Sequence, residues 1–229
     1  MANTSTLYDL KARALDYADM TSSTFPDEER LTDYINNGLA SLHDILSNAY
    51  GDYLHKSTDI SLVSGTEDYA LPTDFYKLQK VFYLDTNRRY RMERFSPDSM
   101  DGTATNPSLR GTVQLWYIPQ HTSLTSDTDV VSVSVPVGWE DYVCLHAAIR
   151  LLQREESDTG PLLAEREGEK QKIIEMAAMR DSGTPGQMGD YYNRFSYGRN
   201  MFLINNKDYR YCLSGNNIKI LQFMFDGVA

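Results

Sequence analysis

The spacing of apolar residues along the chain predicts two helices on either side of a β-rich segment. Apolar side chains recur at steps of three and four residues over 6–20, 26–50, 137–154 and 161–180, the period of an amphipathic helix. The segment 26–50 has the strongest signal, because Pro26 suits a first helical position and the acidic run after it complements the helix dipole. These segments predict a mainly helical body.

From residue 55 to residue 135 the apolar period changes to two residues, which is typical of β-strands. Residues 57–63 and 69–71 predict a hairpin around a turn at 64–66. The polar stretch 96–111, rich in proline and glycine, is predicted to be a loop. The fold class is therefore α+β, with a small antiparallel β-sheet insertion in a helical body. Further strands are predicted at 78–84, 90–93, 113–118 and 130–135.

After Asp181 the composition changes, so we divide the chain into a body over residues 1–181 and a C-terminal arm over residues 182–229. The arm ends in a predicted hairpin with strands at 208–213 and 218–225. We expect its aromatic side chains to anchor a partner or a neighbouring subunit, with folding back onto their own body as the alternative. These residues are Tyr191, Tyr192, Phe195, Tyr197, Phe202, Tyr209, Tyr211, Phe223 and Phe225.

Composition and charge favour assembly and disfavour nucleic-acid binding. The chain has 16 tyrosines, and tyrosine suits half-buried surfaces and subunit interfaces. The net charge of -10 argues against a protein that grips nucleic acid, because that grip comes from Lys and Arg neutralising phosphates. Residues 1–60 hold ten Asp and Glu against four Lys and Arg, whereas residues 182–229 hold three against five. We therefore expect the two ends to contact different neighbours.

No familiar catalytic or cofactor motif is present in the sequence. Phosphate-binding glycine loops, the HExxH zinc motif and the nucleophile elbow are absent. Glu155 and Glu156 are adjacent, so they diverge on a helix and do not share one substrate. Cys144 and Cys212 have no CxxC or Cys/His cluster around them, and no long apolar run or secretory signal occurs. We therefore expect no enzyme, no cofactor, no disulfide framework and no membrane span, in a chain made in the cytosol.

Metal binding is not expected either. Asp127 and Asp129 resemble the start of a calcium loop, but Ser132 and Gly138 stand where that loop requires glycine and glutamate. A polar turn is the better interpretation. The four histidines are scattered along the sequence, and we interpret them as solvent-facing or satisfied helix residues. They are His43, His55, His121 and His146.

Four stretches, in this order, resemble the head-to-tail adaptor proteins of tailed bacteriophages, also called connector or head-completion proteins. The first two are LTDYINNGL at 31–39 and LPTDFYKL at 71–78. The third is LWYIP at 115–119, and the fourth runs from GWEDYV at 138–143 to EESD at 155–158. The resemblance covers roughly residues 27–180, and the order of the motifs gives it its specificity.

The resemblance implies a virion structural protein without a reaction of its own. It implies a homo-oligomeric ring of twelve copies that binds the portal protein and the tail or nozzle proteins, and through which genomic DNA passes without specific binding. Acidic walls would let DNA slide, and Asp33 and Asp44 on the long helix are the candidate channel-lining residues. We assign the aromatic arm to the portal contact. Another neck, tail-completion or minor tail protein is the alternative, and an intracellular enzyme is a more distant one.

One hairpin departs from the family pattern. The resemblance leads us to expect a hairpin of the form YRYxLxGxxI between the acidic loop and the LWYIP strand, but YRYCLSGNNI stands at 209–218 instead. We therefore predict that the terminal hairpin pairs with the sheet containing residues 113–118, in its own subunit or in a neighbour. Strand pairing of this kind satisfies exposed edge groups and is a common assembly device.

Overall fold

The computed structural model describes residues 5–21, 27–49, 54–85, 88–94, 111–131, 135–136, 138–179 and 207–224. The chain divides into two compact units. Residues 1–54 and 120–182 form the first, called the helical unit here, and residues 55–119 and 183–229 form the second, the β unit. Each unit is therefore built from two separate parts of the chain.

The helical unit confirms the four predicted helical segments. Helix α3 is its central element, because every residue from 142 to 149 is buried and the helix contacts the other three. A helix that is buried all round packs in the middle of a bundle rather than at its surface. The helices are α1 (Leu7–Tyr17), α2 (Glu28–Ala49), α3 (Glu140–Arg154) and α4 (Gly160–Met179).

Side-chain hydrogen bonds fix the start of α1 and the segment that precedes α3. Thr6 and Asp9 form a capping box at the start of α1, in which each side chain accepts a bond from the other residue's amide. The predicted strand at 130–135 is wrong within its described part, because Val130 forms only an isolated bridge to Thr6. The segment before α3 is held to α2 by the Asn36 side chain, which accepts a bond from the Leu124 amide and donates one to the Leu124 carbonyl.

Gly38 allows α2 and α3 to approach closely. A Cβ atom at this position would lie 3.0 Å from Cγ1 of Val143 and 3.2 Å from its carbonyl oxygen. Beside this contact, the hydroxyl oxygens of Ser41 and Tyr142 lie 2.9 Å apart. Glycine costs a helix about 1 kcal/mol relative to alanine, so the close approach is what favours it here. Gly168 in α4 has open space around its Cβ position.

Gly38→Ala is expected to lower the free energy of unfolding by about 1–3 kcal/mol, because the added methyl group overpacks the α2–α3 contact. Gly168→Ala is the matched control, and it is expected to raise the free energy of unfolding by about 0.5–1 kcal/mol through helix propensity. Urea unfolding of the two variants measures the difference. Effects of the same sign and size would contradict the close helix approach.

The described residues of the β unit form two four-stranded sheets that share one hydrophobic core. Val113 and Leu115 of one sheet and Ile218 and Ile220 of the other are fully buried in it. All strand pairs are antiparallel except β5 with β7. In spatial order the first sheet is β1 (Lys56–Leu62), β6 (Gly111–Pro119), β3 (Phe75–Asp85), β4 (Arg88–Arg91), and the second is β2 (Asp68–Ala70), β8 (Asn217–Met224), β7 (Lys207–Ser214), β5 (Glu93–Arg94).

The C-terminal hairpin, β7 with β8, completes the second sheet. β8 pairs with β2, so that Tyr69 stands opposite Ile218, and β7 pairs with β5, so that Glu93 stands opposite Arg210. The prediction that the hairpin pairs with the sheet containing residues 113–118 is therefore wrong. The hairpin packs against that sheet through the shared core. In the described ranges, β2 and β5 have no other strand partner.

The predicted hairpin over residues 57–71 is also wrong. β1 pairs with β6 and β2 pairs with β8, so the turn between β1 and β2 carries the chain from one sheet to the other. Tyr69 holds this turn, because its hydroxyl accepts a bond from the Val63 amide and donates towards the Thr66 carbonyl, both at 3.0 Å. The buried Tyr69 side chain therefore holds the turn, and β1 does not pair with β2 as the alternating pattern predicted.

Ile220→Ala is expected to lower the free energy of unfolding of the β unit by about 2–5 kcal/mol, because it leaves a cavity where the hairpin meets the core. Val63→Ala removes methyl groups from a side chain that is 58% exposed, and a change below about 0.5 kcal/mol is expected for this control. In a Trp139→Phe background, fluorescence from Trp116 alone follows unfolding of the β unit. An unchanged midpoint for Ile220→Ala would show that the hairpin is not part of the core.

Candidate partner-binding surfaces

Two of the stretches that resemble adaptor proteins meet inside the β unit. The Asp74 carboxylate accepts bonds from the Tyr117 hydroxyl at 2.8 Å and from Lys56 Nζ at 2.7 Å. The Phe75 ring stacks on the Tyr117 ring with 5.8 Å between centroids. The hydrogen bond from Lys56, followed by that from Tyr117, lowers the pKa of Asp74. These contacts tie β1 and β6 to the residues at the start of β3.

The GWEDYV stretch likewise ties structure together. Glu140 is 1% exposed, and its carboxylate accepts bonds from the Ser5 hydroxyl at 3.0 Å and from the Gly138 amide. Asp141 beside it lies 3.3 Å from the Arg13 guanidinium. A buried carboxylate needs such partners, so this pair fastens the start of α3 to the N-terminal residues.

The candidate channel residues Asp33 and Asp44 share one exposed face of α2. They are 11 residues apart, which is about three helical turns, and both are exposed. Asp33 also lines an open polar cleft of about 880 Å³ with Glu28, Glu29 and Lys11. Their role in lining a channel stays a prediction.

The stretch from 123 to 129 confirms the polar-turn interpretation. Asp129 accepts bonds from the amides of Ser126 and Thr125 at 2.8 and 2.7 Å, and these bonds lower the pKa of its carboxyl group. Asp127 pairs with Lys11 at 2.6 Å. Over the described ranges, no three His, Cys, Asp or Glu side chains are placed to hold a metal ion. No helix in those ranges has the length and apolar character to span a membrane.

Charge is divided unequally between the two units. Residues 1–54 and 120–182 carry 21 Asp and Glu against 9 Lys and Arg. Residues 55–119 and 183–229 carry 11 against 13. The acidity of the chain therefore belongs to the helical unit, and the β unit is slightly basic.

The outward-facing side of the first sheet carries a stacked arginine. The guanidinium carbon of Arg89 lies 5.0 Å from the ring centre of Phe82 and 5.8 Å from that of Trp116. Its Nη2 donates to Oε1 of Gln114 at 2.6 Å, and Nε2 of Gln114 donates to Asp59 at 3.1 Å. Trp116 donates to the same Gln114 oxygen at 2.9 Å. Cation–π contacts hold the arginine in place while its charge stays in solvent.

Other cationic groups surround this stack. Arg91 stands opposite Phe82 on β4, and Lys80 stands opposite Trp116 on β3. We call Phe82, Arg89, Arg91, Gln114 and Trp116 the stacked-arginine face. Sequence reasoning missed it, although half-buried Gln114 and Trp116 alternate with fully buried neighbours on β6.

Six of the nine aromatic residues predicted to be partner anchors lie outside the described residues. Tyr211 packs half-buried against the core of the β unit, and burial raises its pKa. Tyr209 and Phe223 lie in β7 and β8. The arm over 182–206 and its boundary with the body stay predictions, and the residues outside the described ranges are Tyr191, Tyr192, Phe195, Tyr197, Phe202 and Phe225.

The four histidines occupy different surroundings. His43 and His121 have ring centroids 6.3 Å apart, and within the described chain the buried Nε2 of His121 has no hydrogen-bond partner. His55 is exposed, with its ring 5.1 Å from that of Trp116. His146 is 9% exposed, with Nδ1 3.4 Å from Arg166. Burial, and then the charges of Arg166 and Arg150, lower the pKa of His146 to about 4.

The lowered pKa of His146 makes the stability of the helical unit depend on pH. The unfolded chain takes up a proton on this residue near pH 6.5, whereas the folded chain does so near pH 4. Stability is therefore lost as the pH falls between those values. From pH 7 to pH 5 the wild type is expected to lose about 1–2 kcal/mol more than His146→Gln in urea unfolding. The control His55→Gln should lose as much as the wild type, and equal losses for all three would contradict the assignment.

Several residues in the stretches that resemble adaptor proteins are used in packing, whereas a stacked arginine and exposed carboxylates lie on outer faces. The sequence matches the family model of the SU10 adaptor protein over residues 5–189. The chain therefore belongs to the SU10 adaptor family, a family of phage structural adaptor proteins. No curated protein matches the sequence. The family match ends before the C-terminal hairpin begins.

Proposed function

We propose that the chain forms a homo-oligomeric ring that joins the portal to the tail and continues the DNA channel in the phage neck. The observation that carries this proposal is membership of a phage adaptor family over residues 5–189. The unequal division of charge between the units supports it. Each copy in a closed ring meets its two neighbours through two different surfaces, and the chain offers an acidic unit and a slightly basic one. Twelve copies complete the ring in this proposal.

The acidic face of α2 lines the channel in this arrangement. Asp33 and Asp44 point from one side of the helix into solvent, and carboxylates on a channel wall repel DNA phosphates. DNA then passes without being held. Glu140, by contrast, is buried in the helical unit and remains structural.

The C-terminal arm provides the portal contact, and other faces of the ring receive tail or nozzle proteins. Residues 180–206 separate α4 from β7, and a chain of this length reaches at most about 90 Å. Because both ends of this segment are joined to the fold, it can project outward by at most about half that length, roughly 45 Å. Tyrosine and phenylalanine are suited to anchoring such a segment in a partner's pockets.

The arm is tested by replacing Tyr191, Tyr192 and Phe195 with serine, which spares the hairpin that completes the β unit. Particles assembled with the variant as the only source of the chain are expected to carry at least about tenfold fewer copies, because interface aromatics contribute 1.4 kcal/mol or more. Tyr8→Ser is the control, since Tyr8 is 64% exposed on α1. Quantitative mass spectrometry of purified particles gives the copy number.

The ring itself is tested on wild-type particles. About twelve copies per particle, located by a label at Tyr197 between head and tail, are the expected result. One or a few copies, or a location along the tail, would contradict the proposal and favour another neck or tail component. Unchanged copy number in the triple arm variant would contradict only the role of the arm.

A further inference from the structure

The stacked-arginine face has the features of an interface anchor. Arg89 is exposed, yet its position is fixed by two rings and by one bond to Gln114. A guanidinium has five N–H donors, so most of its hydrogen-bonding capacity remains for a partner. Within the described residues Arg89 forms no ion pair with a carboxylate. Arginine and tryptophan are the residue types enriched at the centres of protein interfaces.

Holding the arginine in advance lowers the entropic cost of binding. A free arginine side chain loses rotamer freedom when it forms an ion pair, whereas the rings of Phe82 and Trp116 already restrict Arg89. Carboxylates are the natural ligands, because their two oxygens match two parallel N–H groups of the guanidinium. The face therefore suits an acidic protein segment.

The turn between α3 and α4 is such a segment. Glu155, Glu156 and Asp158 are all exposed. Across the described structure, neither the Glu155 nor the Glu156 carboxylate forms an ion pair or a hydrogen bond. Two hydrogen bonds hold the turn: the Ser157 amide donates to the Leu152 carbonyl at 3.0 Å, and the Gly160 amide donates to the Asp158 carboxylate at 2.9 Å.

We propose that the stacked-arginine face of one copy docks the acidic α3–α4 turn of a second copy. This inference rests on the proposed ring, and names the contact that closes it. Because the two surfaces differ, repetition of the contact is head-to-tail, as a rotational ring requires. The net charge of -10 disfavours a nucleic acid as the ligand of this face. The helical unit, which carries 21 Asp and Glu, offers an acidic ligand on another copy of the same chain.

Charge reversal tests the contact in assembled particles. Arg89→Glu, and separately Glu155→Arg with Glu156→Arg, are each expected to lower the copy number per particle by about tenfold or more. Arg91→Glu, which leaves the ring contacts of Arg89 in place, is a second reversal at this face with the same expected direction. Combining Arg89→Glu with the two glutamate reversals is expected to restore the copy number to within about threefold of the wild type, because opposite charges again face each other.

Two controls separate this contact from general charge effects. Asp16→Arg with Glu175→Arg makes the same charge change at exposed positions elsewhere in the helical unit, and Arg94→Glu reverses an exposed charge on the second sheet. Both are expected to keep the wild-type copy number. Loss in these controls equal to that in the test variants would overturn the proposal.

The remaining outcomes are distinguishable from one another. Wild-type rings that also form with Arg89→Glu, with Arg91→Glu and with the reversed turn would overturn this contact and leave the proposed ring intact. Failure of the combined variant to recover would overturn the pairing of these two surfaces. Wild-type particles without a ring would overturn the proposed function and this inference together. In a Trp139→Phe chain, quenching of Trp116 by a single-stranded oligonucleotide that Arg89→Glu abolishes would assign the face to nucleic acid instead.

Discussion

The β unit depends on backbone pairing between strands that lie more than 100 residues apart in the sequence. β2 has three residues and β5 has two, too few to form a sheet without longer neighbours. The hairpin supplies those neighbours and buries Ile218 and Ile220 in the same core. It is therefore part of the fold, although it lies beyond the residues that the family match covers.

The C-terminal hairpin lies in the fold close to where the adaptor resemblance predicts a hairpin from an earlier part of the chain. The resemblance to adaptor proteins led us to expect a hairpin of similar sequence just before the LWYIP strand, which here is β6. The C-terminal hairpin pairs with β5, the described strand that precedes β6 in the sequence. A sheet needs strands at given positions and is indifferent to which part of the chain supplies them, provided that the connection is long enough. Loop closure costs rise only slowly with length, so supplying this hairpin from the C-terminus adds little free energy.

The sequence predicted elements well and their partners poorly. The four helices follow from an apolar period that each segment carries within itself. The sequence of a single strand does not indicate its partner in this way. A period of two residues fixes which face of the strand is buried, but not which other strand pairs with it. The β1–β2 hairpin and the partner of the terminal hairpin were wrong for this reason. The stacked-arginine face was missed for the same reason, since Asp59, Gln114 and Phe82 come together only through the register of three strands. The net charge of the whole chain also hid the stacked-arginine face. Summed over all residues, the charge does not reveal that the helical unit is acidic and the β unit slightly basic.

Buried and exposed residues carry different information about function. Gly38, Asp74, Tyr117 and Glu140 lie in the stretches that resemble adaptor proteins, and each is fixed by packing or by hydrogen bonds inside its own unit. Changing any of them costs folding free energy, so these positions report the shared fold. Exposed charges such as Arg89 contribute little to stability and are therefore free to be set by whatever they meet. The stability of each unit depends on the first group of residues, whereas the proposed contacts between copies depend on the second.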